Sequence, residues 1–129
     1  MREQRLLQIC VAVGGIIPVS AGAAGIIFGP HFVDATVGTA ADSHFRYLSG
    51  LLLGIGIGFW CTIPRIEVSG KLFRCLTALV FVGGLARLYS IVAIGFPSDA
   101  MLGALAIELG VTPLLCWWQG RVSRGGSGK

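Results

Sequence analysis

Leu72-FRCLTALVFVGGLARLYSIVAIG-Phe96 decides the fold. Past Arg74 it carries one formal charge, Arg87, and Pro97 closes it. A helix needs about 20 mainly apolar residues to cross the hydrocarbon core of a bilayer. Three further runs have comparable length and character. They cover about 6–29, 45–63 and 99–118, and Pro64 ends the second. The expected fold is all-α, a bundle of four transmembrane helices in a single domain over 1–122.

Composition points the same way. The chain has 129 residues, 54% hydrophobic and 12% charged, with mean hydropathy +0.81. Soluble domains carry about 25% charged residues. A chain this short cannot hide so much apolar surface in its own core, so the lipid bilayer is its expected partner. The net charge of +4 does not indicate nucleic acid, because the basic residues sit at the ends of the apolar runs.

Those ends also predict orientation. Arg2 and Arg5 precede helix one, Arg65, Lys71 and Arg74 border the 2–3 connection, and Arg121, Arg124 and Lys129 follow helix four. By the positive-inside rule both termini should be cytoplasmic. The opposite side carries Asp34, Asp42 and Asp99 with His31, His44 and Arg46. Trp60, Trp117 and Trp118 fall at expected helix ends, where an aromatic belt forms. Arg2, Arg5 and the small residues Ser20 to Ala23 resemble a secretory signal, but the run continues through Phe28, which predicts an uncleaved helix. The Gly/Ser-rich segment 123–129 is expected to be a disordered tail. His31 to Ser43 reads as the one sizeable loop, with Asp42 or Ser43 capping helix two and Ser98 capping helix four. No internal repeat supports an inverted-repeat transporter.

Glycine is abundant and patterned. Gly50, Gly54 and Gly58 share a face of helix two, Ala21, Gly25 and Gly29 share one of helix one, and Gly83 and Gly84 make a patch on helix three. Small residues let membrane helices approach closely, within one chain or between copies in a homo-oligomer.

Arg87 and Glu108 interrupt otherwise apolar helices. A charge at the bilayer centre costs roughly 2.5–3.5 kcal/mol on insertion scales, so it persists where something compensates. Counting about 1.5 Å per residue, Arg87 lies about 12 Å and Glu108 about 15 Å from the outer helix ends. The tight Pro97 turn makes helices three and four antiparallel neighbours, so the two can form a buried ion pair. Ser90 lies one turn from Arg87, Thr112 one turn from Glu108, and Arg46 heads the glycine face with His44 and Tyr47 beside it. The expected ligand site is therefore a polar pocket in the outer half of the bundle, made by Arg46, Arg87, Ser90, Glu108, His44, Tyr47 and Thr112. Two arginines against one glutamate leave a positive surplus, suited to a lipid headgroup, a carboxylate or a quinone oxygen. A structural ion pair that fixes helix register is the plainer alternative.

Cys10, Cys61, Cys75 and Cys116 all fall toward the expected cytoplasmic ends, but no spacing among them matches a metal or redox motif. No metal and no cofactor is expected. No catalytic triad, HExxH or phosphate loop is present, so an enzyme is not the favoured class.

Three strings carry a resemblance: Phe45-RYLS-Gly50 leading into Gly54-Ile55-Gly56, Gly83-GLARLY-Ser90 with Gly95 and Pro97, and Glu108-Leu109 with Pro113. Over about 5–120 the sequence resembles the bacterial domain-of-unknown-function 4345 family of small four-helix membrane proteins, and more loosely the DoxX-like bundles. The resemblance implies a multi-pass protein of the bacterial inner membrane and brings no settled activity. The expected function is binding of a lipid-like or quinone-like small molecule. The alternatives are a small oligomeric transporter or channel using Glu108 as a proton or cation site, and a membrane enzyme or accessory subunit of a redox system.

Overall fold

The computed structural model describes residues 2–33 and 37–126. Among the described residues there are helices and no strands. In order they are α1 (Arg2–Phe28), a 3-10 turn (Gly29–Val33), α2 (Thr39–Thr62), a 3-10 turn (Ile63–Arg65) and α3 (Gly70–Ile94). Then come α4 (Asp99–Ala106), a π-helical turn (Ile107–Val111) and α5 (Thr112–Gly126).

Taken with their end turns, four stretches are long and apolar enough to cross a membrane: Arg2–His31, Thr39–Arg65, Gly70–Ile94 and Asp99–Gly125. In none of their apolar windows is more than 22% of the residues buried inside the protein. The apolar side chains thus face outward, as lipid requires and water would penalise. The protein is a multi-pass integral membrane protein.

Two compact units make up the chain, Gln8–Pro64 and a second unit of Met1–Leu7 with Arg65–Lys129. In the first unit, α1 and α2 form an antiparallel pair stitched along its length. Gln8 Nε2 donates to the Ile63 carbonyl at 2.7 Å, and Trp60 Nε1 donates to the Ala12 carbonyl at 3.1 Å. Between these ends and Arg46, Gly56 meets Val19 and Gly22 meets the backbone of Ser49 and Leu53. Close backbone contact between helices is what glycine permits. Gly22 and Gly56 do this, while Gly15 and Gly25 make room for the Trp60 and Ser49 side chains. Of the expected stripe, Gly54 has nothing within 4 Å of a would-be Cβ, and Gly50 has only the tip of Ile26. Gly56 lies two residues, about 200°, round the helix from Gly54, so the packed face is nearly opposite the expected one.

In the second unit, α3 packs against the α4–α5 rod. Phe73, Leu76, Thr77 and Gly84 are buried along one stripe of α3. Gln119, only 1% exposed, donates to the Ile66 carbonyl at 2.8 Å and ties the middle of α5 to the connection that precedes α3. The turn depends on Gly95, whose φ of +124° is reserved for glycine, and on Pro97, which cannot continue the helix. The first turn of α1 joins the same end, where Gln4 donates to Glu67 at 2.8 Å and Arg121 reaches Glu3 at 3.5 Å.

Several boundaries differ from expectation. α2 begins at Thr39, behind an extended Gly38 with no side-chain cap. Asp42 therefore lies inside the first turns of α2 and is not its cap. Ser98 occupies the cap position of α4 but makes no capping hydrogen bond. α5 runs on to Gly126, so Trp117 and Trp118 stand within it and the expected tail is helical from 123 through 126. Asp34 and residues 127–129 lie outside the described residues.

Candidate functional site

Arg87 and Glu108 meet as expected. Arg87 Nε donates to Glu108 Oε2 at 3.0 Å and Nη2 to Oε1 at 3.1 Å. This two-pronged grip is the strong form of the arginine–carboxylate pair. It is not buried, which corrects the expectation. The two side chains retain 33% and 19% of their exposure, since the pair lies at the edge of the α3 contact and protein atoms do not enclose it. Arg87 Nη1 has no partner among the described residues, nor has the exposed hydroxyl of Ser90.

Glu108 reaches Arg87 from a π-helical turn. The Thr112 backbone N–H bonds back to the Ile107 carbonyl, five residues earlier, and Thr112 Oγ1 donates to the same oxygen at 3.0 Å. Pro113 follows, with no N–H to offer Leu109 and a ring that disfavours a regular turn before it. Thr112, expected in the ligand set, thus spends its hydroxyl on the backbone. Gly84 completes the arrangement: a Cβ there would stand 2.7 Å from Leu109 Cδ2 and 3.0 Å from Glu108 Cβ. Its absence lets the π-turn lie against α3. Such turns concentrate at functional positions in helices.

Arg46 belongs to the other unit and has its own partners. Nε and Nη2 donate to the two Asp42 oxygens at 2.8 and 3.2 Å. Nη1 donates to the carbonyls of Ile26 and Ile27, among the last of α1. The guanidinium therefore caps α1 and is neutralised by Asp42, four residues before it in α2. The expected positive surplus disappears, because each of these arginines has its own carboxylate. Gly29, at φ +61°, turns the chain beneath this group, and a Cβ there would stand 2.8 Å from both Arg46 Cζ and Asp42 Oδ1.

Beside this cap lies an apolar cleft of about 260 Å³ lined by Pro30, Val33, Val37, Ala41 and Leu48, with His44 and Phe45. The His44 ring stacks on Tyr47 with centroids 6.5 Å apart. Tyr47 itself is 63% exposed.

A family model described as "Domain of unknown function (DUF4345)" matches residues 6–119. The chain belongs to the DUF4345 family. No curated protein and no solved structure matches it. In this DUF4345 chain all four cysteines are free thiols, and the described residues contain no His, Cys, Asp and Glu grouping able to hold a metal.

Sequence reasoning missed two features. Asp42 as the partner of Arg46 was signalled by their spacing of four on one helix face. The π-turn had only Pro113 within a long apolar run as its trace.

Proposed function

We propose that this DUF4345 protein binds a membrane-soluble amphiphile, lipid-like or quinone-like, with Arg87 as the polar anchor. The observation that supports this is the only partly buried Arg87–Glu108 pair on the π-turn. The desolvation of a purely structural pair is offset only where further hydrogen bonds satisfy its remaining donors. Here the guanidinium keeps donors free, and Ser90 stands one turn away on the same face. A carbonyl or ester oxygen arriving from the lipid side can accept from Arg87 and Ser90 while Glu108 holds the guanidinium in place. The apolar cleft of the other unit, lined in part by His44 with Tyr47 stacked on it, is proposed as a separate place for an apolar molecule.

The test is a titration of the purified protein in maltoside detergent with decylubiquinone and with a short-chain phosphatidylcholine, followed by tryptophan fluorescence. Saturable quenching or shift by either probe, lost in Arg87→Ala, supports the reading. Equal responses from both proteins sink it.

The protein is further proposed to lie in the bacterial cytoplasmic membrane with both termini in the cytoplasm, as basic residues flanking the spans favour. An active alkaline phosphatase fused to the C-terminus would contradict that orientation. The oligomeric transporter remains a second reading because Gly54 has nothing within 4 Å in its own chain, which leaves that face open to another copy. A strictly monomeric mass in mild detergent would count against it.

A further inference from the structure

At the far end of α3 from Arg87 lies a separate cleft of about 310 Å³, lined by Gly70 and Arg74 of α3 and by Gln119, Gly120, Ser123 and Arg124 of α5. Arg74 and Arg87 are 13 positions apart, about 20 Å along the helix, so this cleft does not depend on the function proposed above.

Its charge is uncompensated. Arg74 makes no hydrogen bond or ion pair among the described residues. Arg124 donates only Nε, to the Gly120 carbonyl at 3.0 Å, which steadies the side chain and leaves both terminal nitrogens free. The nearby carboxylates are engaged elsewhere, Glu67 by Gln4 and Glu3 by Arg121. Arg2, Arg5, Arg65 and Lys71 in the same unit add further positive charge. Two guanidinium groups sharing a cleft repel each other, and the repulsion is relieved by an anion that both can grip.

The floor is polar and rigid. Gln119 is 1% exposed, and its amide is fixed by the bond to Ile66. A Cβ on Gly70 would sit 3.3 Å from both amide heteroatoms and 3.6 Å from Arg74 Nη2, so glycine keeps this floor open. Ser123 adds a hydroxyl at the rim. Planar, fork-shaped donors suit the tetrahedral oxygens of phosphate, and the volume is at the small end of ligand pockets, about 300–1,000 Å³.

We propose that this cleft binds a phosphate group, carried either by an anionic phospholipid or by a soluble phosphate compound. Arg74 and Arg124 take the phosphate oxygens, and the Ser123 hydroxyl adds a further contact at the rim. A zwitterionic headgroup is disfavoured, because its ammonium would approach the same basic surface.

The test uses the full chain in maltoside detergent and isothermal titration calorimetry with three probes: inorganic phosphate, dihexanoyl phosphatidylglycerol and dihexanoyl phosphatidylcholine. At least one anionic probe should bind about tenfold or more tighter than phosphatidylcholine. Binding of phosphatidylglycerol alone identifies a lipid headgroup, and binding of inorganic phosphate identifies the phosphate group itself. Arg74→Ala with Arg124→Ala should lose about tenfold or more, while Arg2→Ala with Arg5→Ala, which removes equal charge at the same end, should lose less than about threefold. Both cleft arginines are exposed, so folding should survive; the charge-retaining pair Arg74→Lys with Arg124→Lys checks this and should still lose affinity. Repeating the three titrations on an Arg87→Ala background, from which the proposed amphiphile anchor is gone, separates the two sites: the preference for an anionic probe over phosphatidylcholine should persist there. The proposal is overturned if neither anionic probe outbinds phosphatidylcholine, or if the Arg2/Arg5 variant loses as much as the Arg74/Arg124 variant.

Discussion

Replacing Gly22 by alanine should drive α1 and α2 apart. A Cβ at position 22 would lie 2.6 Å from the Leu53 nitrogen, 2.8 Å from the Ser49 carbonyl oxygen and 2.9 Å from Leu53 Cα. Ordinary contact begins at 3.4 Å, so the shortfall is 0.8 Å (3.4 − 2.6). The obstructing atoms are backbone, which cannot swing aside as a side-chain tip can. Overpacking of this kind costs about 1–3 kcal/mol. Alanine also gains about 0.8–1 kcal/mol over glycine inside a helix. Gly54→Ala is the matched control, because its Cβ would meet nothing within 4 Å. Subtracting one variant from the other removes the propensity gain and leaves the contact cost, about 1–3 kcal/mol. The assay is reversible unfolding in mixed maltoside and dodecyl sulfate micelles, followed by tryptophan fluorescence. Trp60 reports on the same interface through its bond to Ala12. Gly22→Ala should unfold at lower dodecyl sulfate than wild type, and Gly54→Ala at equal or higher. Equal midpoints for the two variants would refute the close crossing at Gly22.

Two further substitutions probe the polar groups. Thr112→Val keeps the shape but removes the hydroxyl bond to Ile107, and should cost about 0.5–1.5 kcal/mol in the same unfolding assay. No measurable loss would mean that the hydroxyl does not secure the π-turn. Arg46→Lys cannot hold two Asp42 oxygens and two α1 carbonyls at once, so its unfolding midpoint should fall further than that of Arg121→Ala, whose single contact at 3.5 Å is weak. Equal shifts would show that Arg46 does not cap α1.

Much of the fold was legible because lipid imposes a length. The run at 72–96 became a helix at Gly70–Ile94, a shift of only two residues at each end. The early start of α2 was not legible, because Thr39 to His44 holds no large apolar residue and no apolar run marks it. The glycine face shows a different limit. A fourfold spacing says that Gly50, Gly54 and Gly58 share a face but not whether a neighbour meets it. That depends on helix rotation, which Gly22, Gly25 and Gly56 fix. For the site, depth and antiparallel packing were enough to pair Arg87 with Glu108. They do not show that Asp42 neutralises Arg46, which rests on the helical start of α2 at Thr39 that puts the two one turn apart. Nor could they reveal the basic cleft, since Arg74 and Arg124 are 50 residues apart in sequence (124 − 74) and meet only through the packing of α3 on α5.

The most direct test of the amphiphile site is native mass spectrometry of the protein from mild detergent, comparing wild type with Arg87→Ala and Glu108→Gln. Wild type should carry a bound lipid or quinone mass that both folded variants lose. Wild type without any adduct, or variants that keep the same adduct, would contradict the assignment and leave Arg87 and Glu108 as a structural pair.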